Sequence, residues 1–440
     1  MDHVNASLAV GLALVIFIAT VLVLRRTPVL AFALWVATLS FVPYWLGVTV
    51  SVYFPPTTAV GIVVVAALFT QRRYPQQQYP QQRPRLGLVD LIVVAVIVVQ
   101  LVALALKLGT LTSSFVLIAH WGLGYLLGRV VATQIPLEQV YRIVAVVLSV
   151  VAVLALLEFA TRNNIFVPVR ANNALYATWS PLLERGGLLR VEGAFGHPIA
   201  LGASLALAIP LTLASSFRLW LRGCMVFVLV GATVVTFSRT GMLCAIIALV
   251  LSVVSLRNSI SARARTVFVG GTIGIGVLAT PLVLGTFSEA GTEATASASY
   301  RGDLLSLIPS MASIGLAANS HRNASGETFF GSFHSIDSAL IYFGLTNGLI
   351  PLILVMAILL AALVLVMRAR ATPATLAIVA QLPAVATVAL ITQFAMFFWV
   401  VCGIAVSTQL TQSWKGAAPL IGTGAIRETH NDFTTSPYVK

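Results

Sequence analysis

Four short stretches of the chain hold side chains suited to an anion or to a hydroxyl under attack. The first is RVEGAFGHP, Arg190 to Pro198. Gly193 and Gly196 permit positive φ or close backbone approach. Pro198 suits the first turn of a helix, and backbone N–H groups at such a helix start favour an anion. Arg190 and His197 fit within one such site; the alternative is a helix entrance whose Arg190 meets Glu192 or a lipid phosphate. The second stretch is FSRTG, Phe237 to Gly241, where Arg239 stands alone in a turn between two apolar segments. A bound anion would retain it there, as would pairing with Glu192, Asp303 or a helix C-terminus.

The third stretch is YRGDLLSL, Tyr300 to Leu307. Arg301 and Leu305 are one helical turn apart, so Leu305 packs beside the Arg301 stem if the segment is helical. Arg301 is then an anion ligand or a solvated loop arginine. The fourth is FHSIDSALIYFGLTNG, Phe333 to Gly348. Imidazole is the usual general base near neutral pH, which makes His334 the candidate base. Asp337, three residues on, can face the same side and orient it. A helix-cap region or a packed interfacial histidine is the competing account. Gly344 and Gly348 form a small-xxx-small pair suited to helix packing.

Three arginines and one or two histidines on one side suit a pyrophosphate, held through charge-assisted bonds of about 1.5–3 kcal/mol each. Fixed arginine charge also neutralises a departing pyrophosphate without a metal. A histidine base contributes about 10²–10⁴ in rate. Glycosyl transfer from a lipid-diphosphate donor fits this chemistry. No carboxylate cluster for Mg²⁺ or Mn²⁺ is visible, and no cofactor is expected. GGTIGIG, Gly270 to Gly276, lacks the strand and lysine of a nucleotide loop. Cys224, Cys244 and Cys402 lie in apolar runs without ligand spacing and read as small buried residues. His321 and Arg322 fall in a Ser/Asn/Gly-rich stretch expected to be mobile.

The elements positioning these groups are set by composition. Of 440 residues, 59% are hydrophobic and 9% charged, and mean hydropathy is +0.98. A soluble domain is about a quarter charged, so lipid must cover most of this chain. The apolar runs lack the alternation of barrel strands and approach the roughly 20 residues that span a bilayer as helix. The expected fold is an all-α polytopic membrane protein with 11–13 spans: 6–24, 28–50, 57–70, 87–106, 111–128, 143–160, 197–215, 223–237, 241–256, 266–286, 336–367, 375–391 and 393–410. The first run has no Arg or Lys before it and Arg25 and Arg26 after it, a signal-anchor pattern with the N-terminus outside. Most of the 26 basic residues then fall in cytoplasmic segments, among them Arg72, Arg73, Arg129, Arg142, Arg218, Arg222, Arg368 and Arg370, as the positive-inside rule requires. The net charge of +13 is this asymmetry and no sign of a nucleic-acid partner.

The chain accordingly divides into N-terminal transmembrane helices (1–160), a first outer loop (161–196), central helices (197–286), a large outer loop (287–335), C-terminal helices (336–410) and a cytoplasmic tail (411–440). Residues 71–85, with a repeated Tyr-Pro-Gln-Gln tract, read as an extended cytoplasmic loop. Transporters place ionisable groups near the midplane. Here Asp90, Lys107 and Glu158 lie near helix ends and polar chemistry gathers at the outer face, so a transporter or flippase is the second reading.

In their order and spacing over roughly residues 185–350, the four stretches resemble the O-antigen ligase and O-antigen polymerase family of bacterial envelope enzymes. Arg190 to Pro198 resembles its arginine–glycine–aromatic–proline segment, and FSRTG its serine–arginine turn. Arg301 with Leu305 is similar to its arginine-x3-leucine pattern, and His334 with Gly344 to its histidine-x9-glycine pattern. The chain departs from the family at Ser335 and His197, where asparagine is frequent, and in its Gly344-x3-Gly348 spacing. The resemblance implies a GT-C-like helical fold in the cytoplasmic membrane. It also implies metal-independent, inverting transfer of a glycan from undecaprenyl diphosphate to a glycan or lipid acceptor. Arg190, Arg301 and, less directly, Arg239 are then pyrophosphate ligands, His334 the base, and His197 and Asp337 supporting residues.

Overall fold

Apolar runs punctuated by proline and glycine become helices throughout the described residues. The computed structural model describes residues 14–71, 86–255, 302–322, 328–333 and 335–417, with positions 266, 270, 271, 274 and 300. In chain order the helices are α1 (Leu14–Leu24), α2 (Pro28–Phe41), α3 (Pro56–Phe69), α4 (Leu88–Ala105), α5 (Leu111–Gln134), α6 (Leu137–Thr161) and the short α7 (Ala174–Trp179). They continue with α8 (Pro198–Leu213), α9 (Leu219–Val235), α10 (Arg239–Ser255), α11 (Ala339–Asn347), α12 (Leu349–Met367), α13 (Pro373–Thr387) and α14 (Thr392–Ala417). Proline at the first position starts α2, α3, α8 and α13, where its missing N–H is no loss. Among the described residues α4, α5, α6, α12 and the Thr392–Gln412 part of α14 are long and apolar enough to cross a membrane. The protein is mostly helical and of multi-pass membrane type.

The structure redraws several expected boundaries. Span 28–50 ends at Phe41, because Pro43 and the alternating Val48–Phe54 segment favour a turn and a hairpin; Val48–Val50 pairs antiparallel with Val52–Phe54. Span 336–367 breaks at Gly348, whose φ of 98° only glycine adopts readily. Gly344 packs both on Met311 and on Leu352 of α12, where a Cβ would meet Met311 Sδ at 2.6 Å and Leu352 Cδ2 at 2.9 Å, whereas a Cβ on Gly348 would meet Ile314 Cα at 2.5 Å. His321 and Arg322 lie on a strand, Ser320–Arg322, paired with Thr328–Phe330. Cys224 is exposed, unlike Cys244 and Cys402, because it lies on a face of α9 that does not enter the core.

The bundle centres on α14, 78% of whose spanning window is buried, against 22% for α4, which is therefore peripheral. α14 crosses α5 at glycines. A Cβ on Gly128 would collide with the Val400 carbonyl, and one on Gly403 with the Tyr125 carbonyl. Gly128→Ala is expected to lower stability by about 1–3 kcal/mol, or more, through overpacking against backbone that cannot move aside; thermal unfolding in nanodiscs reads it.

At one end of this crossing Asp90 and Arg129 form a buried ion pair. Arg129 Nε donates to Asp90 Oδ1 at 2.8 Å and Nη2 to Oδ2 at 3.0 Å, while Nη1 reaches Ser407 Oγ at 2.6 Å. Tyr125 adds a phenolic hydrogen bond to Oδ1 at 2.6 Å, and the Gly87 N–H donates to Oδ2 at 2.7 Å. Arg129, counted from sequence among the loop charges, is thus a core residue joining α4, α5 and α14. At the opposite end lie the 42–55, 162–197, 236–238 and 388–391 connections, which are tied together. Gln393 Nε2 donates to Val42 O at 3.1 Å and to Ala194 O at 3.0 Å, Trp45 Nε1 to Val169 O at 2.8 Å, and Ala339 N to Val388 O at 3.0 Å.

Candidate functional site

The Arg190–Pro198 stretch is a buried loop clamped on three sides. A two-residue hairpin, Glu184–Arg185 with Leu188–Leu189, delivers the chain to Arg190. Val191, Glu192, Gly193, Ala194 and Phe195 are then buried in succession. From below, Glu158 in the last turn of α6 accepts the N–H groups of Glu192 at 3.1 Å and Gly193 at 3.0 Å. Asn164 Nδ2 bridges Glu158 Oε1 at 3.0 Å and Gly193 O at 3.1 Å. Gln393 holds Ala194 from α14. Gly193 at φ 55° and Gly196 at φ 63° turn the chain into α8. A Cβ on Gly196 would approach Trp179 O to 2.7 Å, so that position also lacks space.

The third clamp is the Phe237–Gly241 turn. Arg190 Nε donates to Thr236 O at 3.1 Å, Val191 N to Val235 O at 3.4 Å, and Arg185 Nη1 to Phe237 O at 3.0 Å. Phe237 itself takes φ 47°. Two stretches some forty residues apart in sequence are therefore one structural unit. Arg190 is buried within it, whereas Arg239 is exposed as the first residue of α10. A cation at the positive end of a helix dipole is disfavoured by about 0.3–1 kcal/mol, and an anion bound there removes that cost.

His197 caps α8: its Nδ1 accepts the Ile199 N–H at 3.2 Å, and the ring meets Trp179 edge-on at 6.0 Å. Burial first, and then the Arg190 charge, hold its pKa well below the usual histidine range. His197 is therefore neutral near pH 7, with its proton on Nε2, and serves as a donor rather than a base. Of the backbone groups at the α8 start expected to favour an anion, Pro198 has no N–H and that of Ile199 is already taken by His197.

Of the remaining expected residues, Arg301 and His334 lie outside the described residues. Leu305, the partner expected for Arg301, is exposed on a 3₁₀ turn, Leu304–Ser310, rather than on an α-helix. Asp337 accepts a hydrogen bond from Ser335 Oγ at 3.2 Å. Ser338 caps α11 through the Ile341 N–H, so residues 335–337 precede the helix. Tyr300 donates its hydroxyl hydrogen to Ser335 O and lays its ring against Phe333 at 5.5 Å, which fixes the chain on both sides of position 334.

Sequence reasoning undervalued two carboxylates. Glu192 is fully buried, and among the described residues neither of its carboxyl oxygens meets a hydrogen-bond donor. Burial and the nearby Glu158 raise its pKa, and the Arg190 charge only partly opposes them. The visible signal was Glu158 itself, an acid at the end of the otherwise apolar run Ile143 to Leu157. Because the folded pKa of Glu192 is raised, the stability it confers is complete below the ordinary glutamate range of about 4.3. That stability is lost as pH rises towards the folded value. Wild-type melting temperature is expected to decline over this interval and that of Glu192→Gln to stay flatter, as read by nanodisc melting from pH 4 upward.

Among the described residues no group of three His, Cys, Asp or Glu side chains is placed to hold a metal ion. The chain matches no family model, and neither a curated protein nor a solved structure is similar to it.

Proposed function

We propose that this protein is a membrane glycosyltransferase, of polysaccharide polymerase or O-antigen ligase type. It would move a glycan from undecaprenyl diphosphate to an acceptor hydroxyl at the outer face of the cytoplasmic membrane. The observation that carries this reading is the packing of the Arg190 loop against the Arg239 turn at one end of an apolar bundle. That end faces outward if the arginine-rich connections face the cytoplasm, with 11–13 spans in a GT-C-like arrangement.

In this reading Arg190, Arg239 and Arg301 hold the pyrophosphate. His334 takes the acceptor proton, and the acceptor oxygen attacks the anomeric carbon opposite the pyrophosphate. The glycosidic bond forms as the carbon–phosphate-oxygen bond breaks, with inversion, and the lipid diphosphate leaves with its charge balanced by arginine. A second reading, a transporter or flippase of a lipid-linked or anionic substrate, draws on the buried Glu158 and Glu192 beside Arg190, since intramembrane acids are typical proton carriers.

The test is to incubate nanodisc-embedded protein with undecaprenyl-diphosphate oligosaccharide from the native envelope and excess EDTA, with donor alone and then with candidate acceptors. A ladder from donor alone marks a polymerase, and a single shift that needs an acceptor marks a ligase. His334→Ala is expected to melt like wild type and to lose at least 100-fold in transfer; full activity in that variant removes His334 from the mechanism. Donor left unchanged under every condition, but moved across the bilayer, replaces the enzyme by the transporter.

A further inference from the structure

Three arginines gather on the α8–α9 connection and the adjoining turn of α6, at the end of the bundle opposite the Arg190 loop. The helices dictate this placement. α6 reaches the loop with Glu158, and Arg142 lies sixteen residues earlier, roughly 24 Å down the axis. α9 reaches it with Val235, and Arg222 lies thirteen residues earlier, roughly 20 Å down. Arg218 stands immediately before α9, one turn from Arg222.

Two of the three are fixed in place. The Arg142 guanidinium carbon sits 4.8 Å from the centre of the Phe217 ring, whose face attracts a cation. Phe217 adjoins Arg218 in the chain, so Arg142 and Arg218 are neighbours across α6 and α9. Arg222 Nη1 donates to Leu213 O at 2.7 Å, at the end of α8. A guanidinium carries five N–H donors, so most remain for a ligand. Among the described residues none of the three is in an ion pair. The acid closest to any of them in sequence is Glu138, exposed one turn before Arg142 on α6. Three positive charges thus stand against one negative. Arg218 and Arg222 also lie at the positive end of the α9 dipole, where cations are disfavoured. An anion held between the arginines relieves both strains.

The surroundings favour a lipid phosphate over a free one. Trp220, between Arg218 and Arg222, is 65% exposed, and an indole at the end of a membrane helix marks the headgroup level of a bilayer. On α6 the residues at helical spacing from Arg142 are Val146, Val150 and Val153, all exposed. An uncovered apolar stripe therefore runs on from the basic patch, which suits an acyl chain. We propose that Arg142, Arg218 and Arg222 bind the phosphate of an anionic phospholipid, whose acyl chains lie along Val146, Val150 and Val153. The lipid bridges the near ends of α6 and α9, the helices whose far ends clamp the Arg190 loop. The site stands whether or not the protein transfers a glycan.

The test is native mass spectrometry of the full chain released from micelles containing phosphatidylglycerol, phosphatidylethanolamine with the same acyl chains, or glycerol 1-phosphate. One arginine beside anionic lipid adds about fivefold in affinity. Wild type is expected to retain phosphatidylglycerol about fivefold or more over either other probe. Arg142→Gln/Arg218→Gln, at two exposed positions, is expected to bring phosphatidylglycerol down to the level of phosphatidylethanolamine. Arg368→Gln/Arg370→Gln removes as many charges from the exposed α12–α13 connection at the same end and is expected to keep the preference. Equal retention of the two lipids by wild type overturns the site, as does an undiminished preference in Arg142→Gln/Arg218→Gln. An equal loss in the two double variants also overturns it, since the preference then belongs to surface charge as a whole. Glycerol 1-phosphate retained as well as phosphatidylglycerol overturns the lipid as occupant.

Discussion

Arg129→Ala is expected to destabilise the protein by about 3–5 kcal/mol, the largest single-site effect on folding anticipated here. It leaves Asp90 buried and charged, and removing one partner of a buried pair costs that much. It also strips Ser407 of its Nη1 donor at 2.6 Å, so α14 loses its tie to α5. Asp90→Ala should cost a similar amount, because the guanidinium is then the orphan. The informative comparison is the double replacement Asp90→Leu/Arg129→Met, which is expected to recover most of the loss, since apolar groups of similar volume often substitute for a buried pair without penalty. Denaturant or thermal melts in one lipid composition check all three. A double variant as unstable as the singles would mean that Tyr125, Gly87 and Ser407 depend on the charges individually rather than on the pair.

The largest effect on activity is expected at Arg190. Under the proposed chemistry Arg190→Lys keeps a buried cation but loses the planar fork, and a lysine cannot bond Thr236 O and a phosphate oxygen in the same geometry. Transfer is expected to fall about 10²–10³-fold, the usual consequence of removing one preorganised donor from a site of developing negative charge. Single-turnover rates at saturating donor measure it, alongside a melt to separate chemistry from folding. Arg190→Ala should do more than this. The Arg190 charge opposes the upward shift of the Glu192 pKa, so its removal drives Glu192 further towards the neutral acid and alters the pH profile as well as the rate. A rate loss in Arg190→Lys confined to KM would assign Arg190 to donor binding alone.

Most of the helical framework was legible because its cause is local. Apolar runs of sufficient length, opened by Pro28, Pro56, Pro198 and Pro373, have few alternatives to a helix. Boundaries failed where short-range chemistry outweighs hydropathy. Val48 to Phe54 is apolar enough to extend a span, yet its alternating β-branched and aromatic residues form a hairpin. Gly348 sits inside the expected span 336–367 and separates α11 from α12 where the chain at Ile314 approaches its backbone. Within the candidate site, residue types and order pointed to the Arg190 loop and to the Arg239 turn. Their contact through Thr236 was not readable, since a side chain meeting a backbone carbonyl carries no sequence signature. The same holds for Arg129. An arginine at the end of an apolar stretch looks like any loop arginine until the acid 39 residues earlier is seen to face it.

The clamps on the Arg190 loop also order events during synthesis. Gln393, which holds Ala194 in place, follows it by 199 residues. At about 5–20 residues per second the ribosome takes roughly 10–40 s to cover that interval. Glu158 is available throughout it and the Thr236 turn for most of it, but the last brace is not. The loop therefore reaches its final shape only when α14 has entered the bundle. A chain halted or truncated before that helix carries the arginine-bearing stretches intact in sequence and incomplete in form, so the shape of the loop is a property of the finished bundle and not of the segment that encodes it.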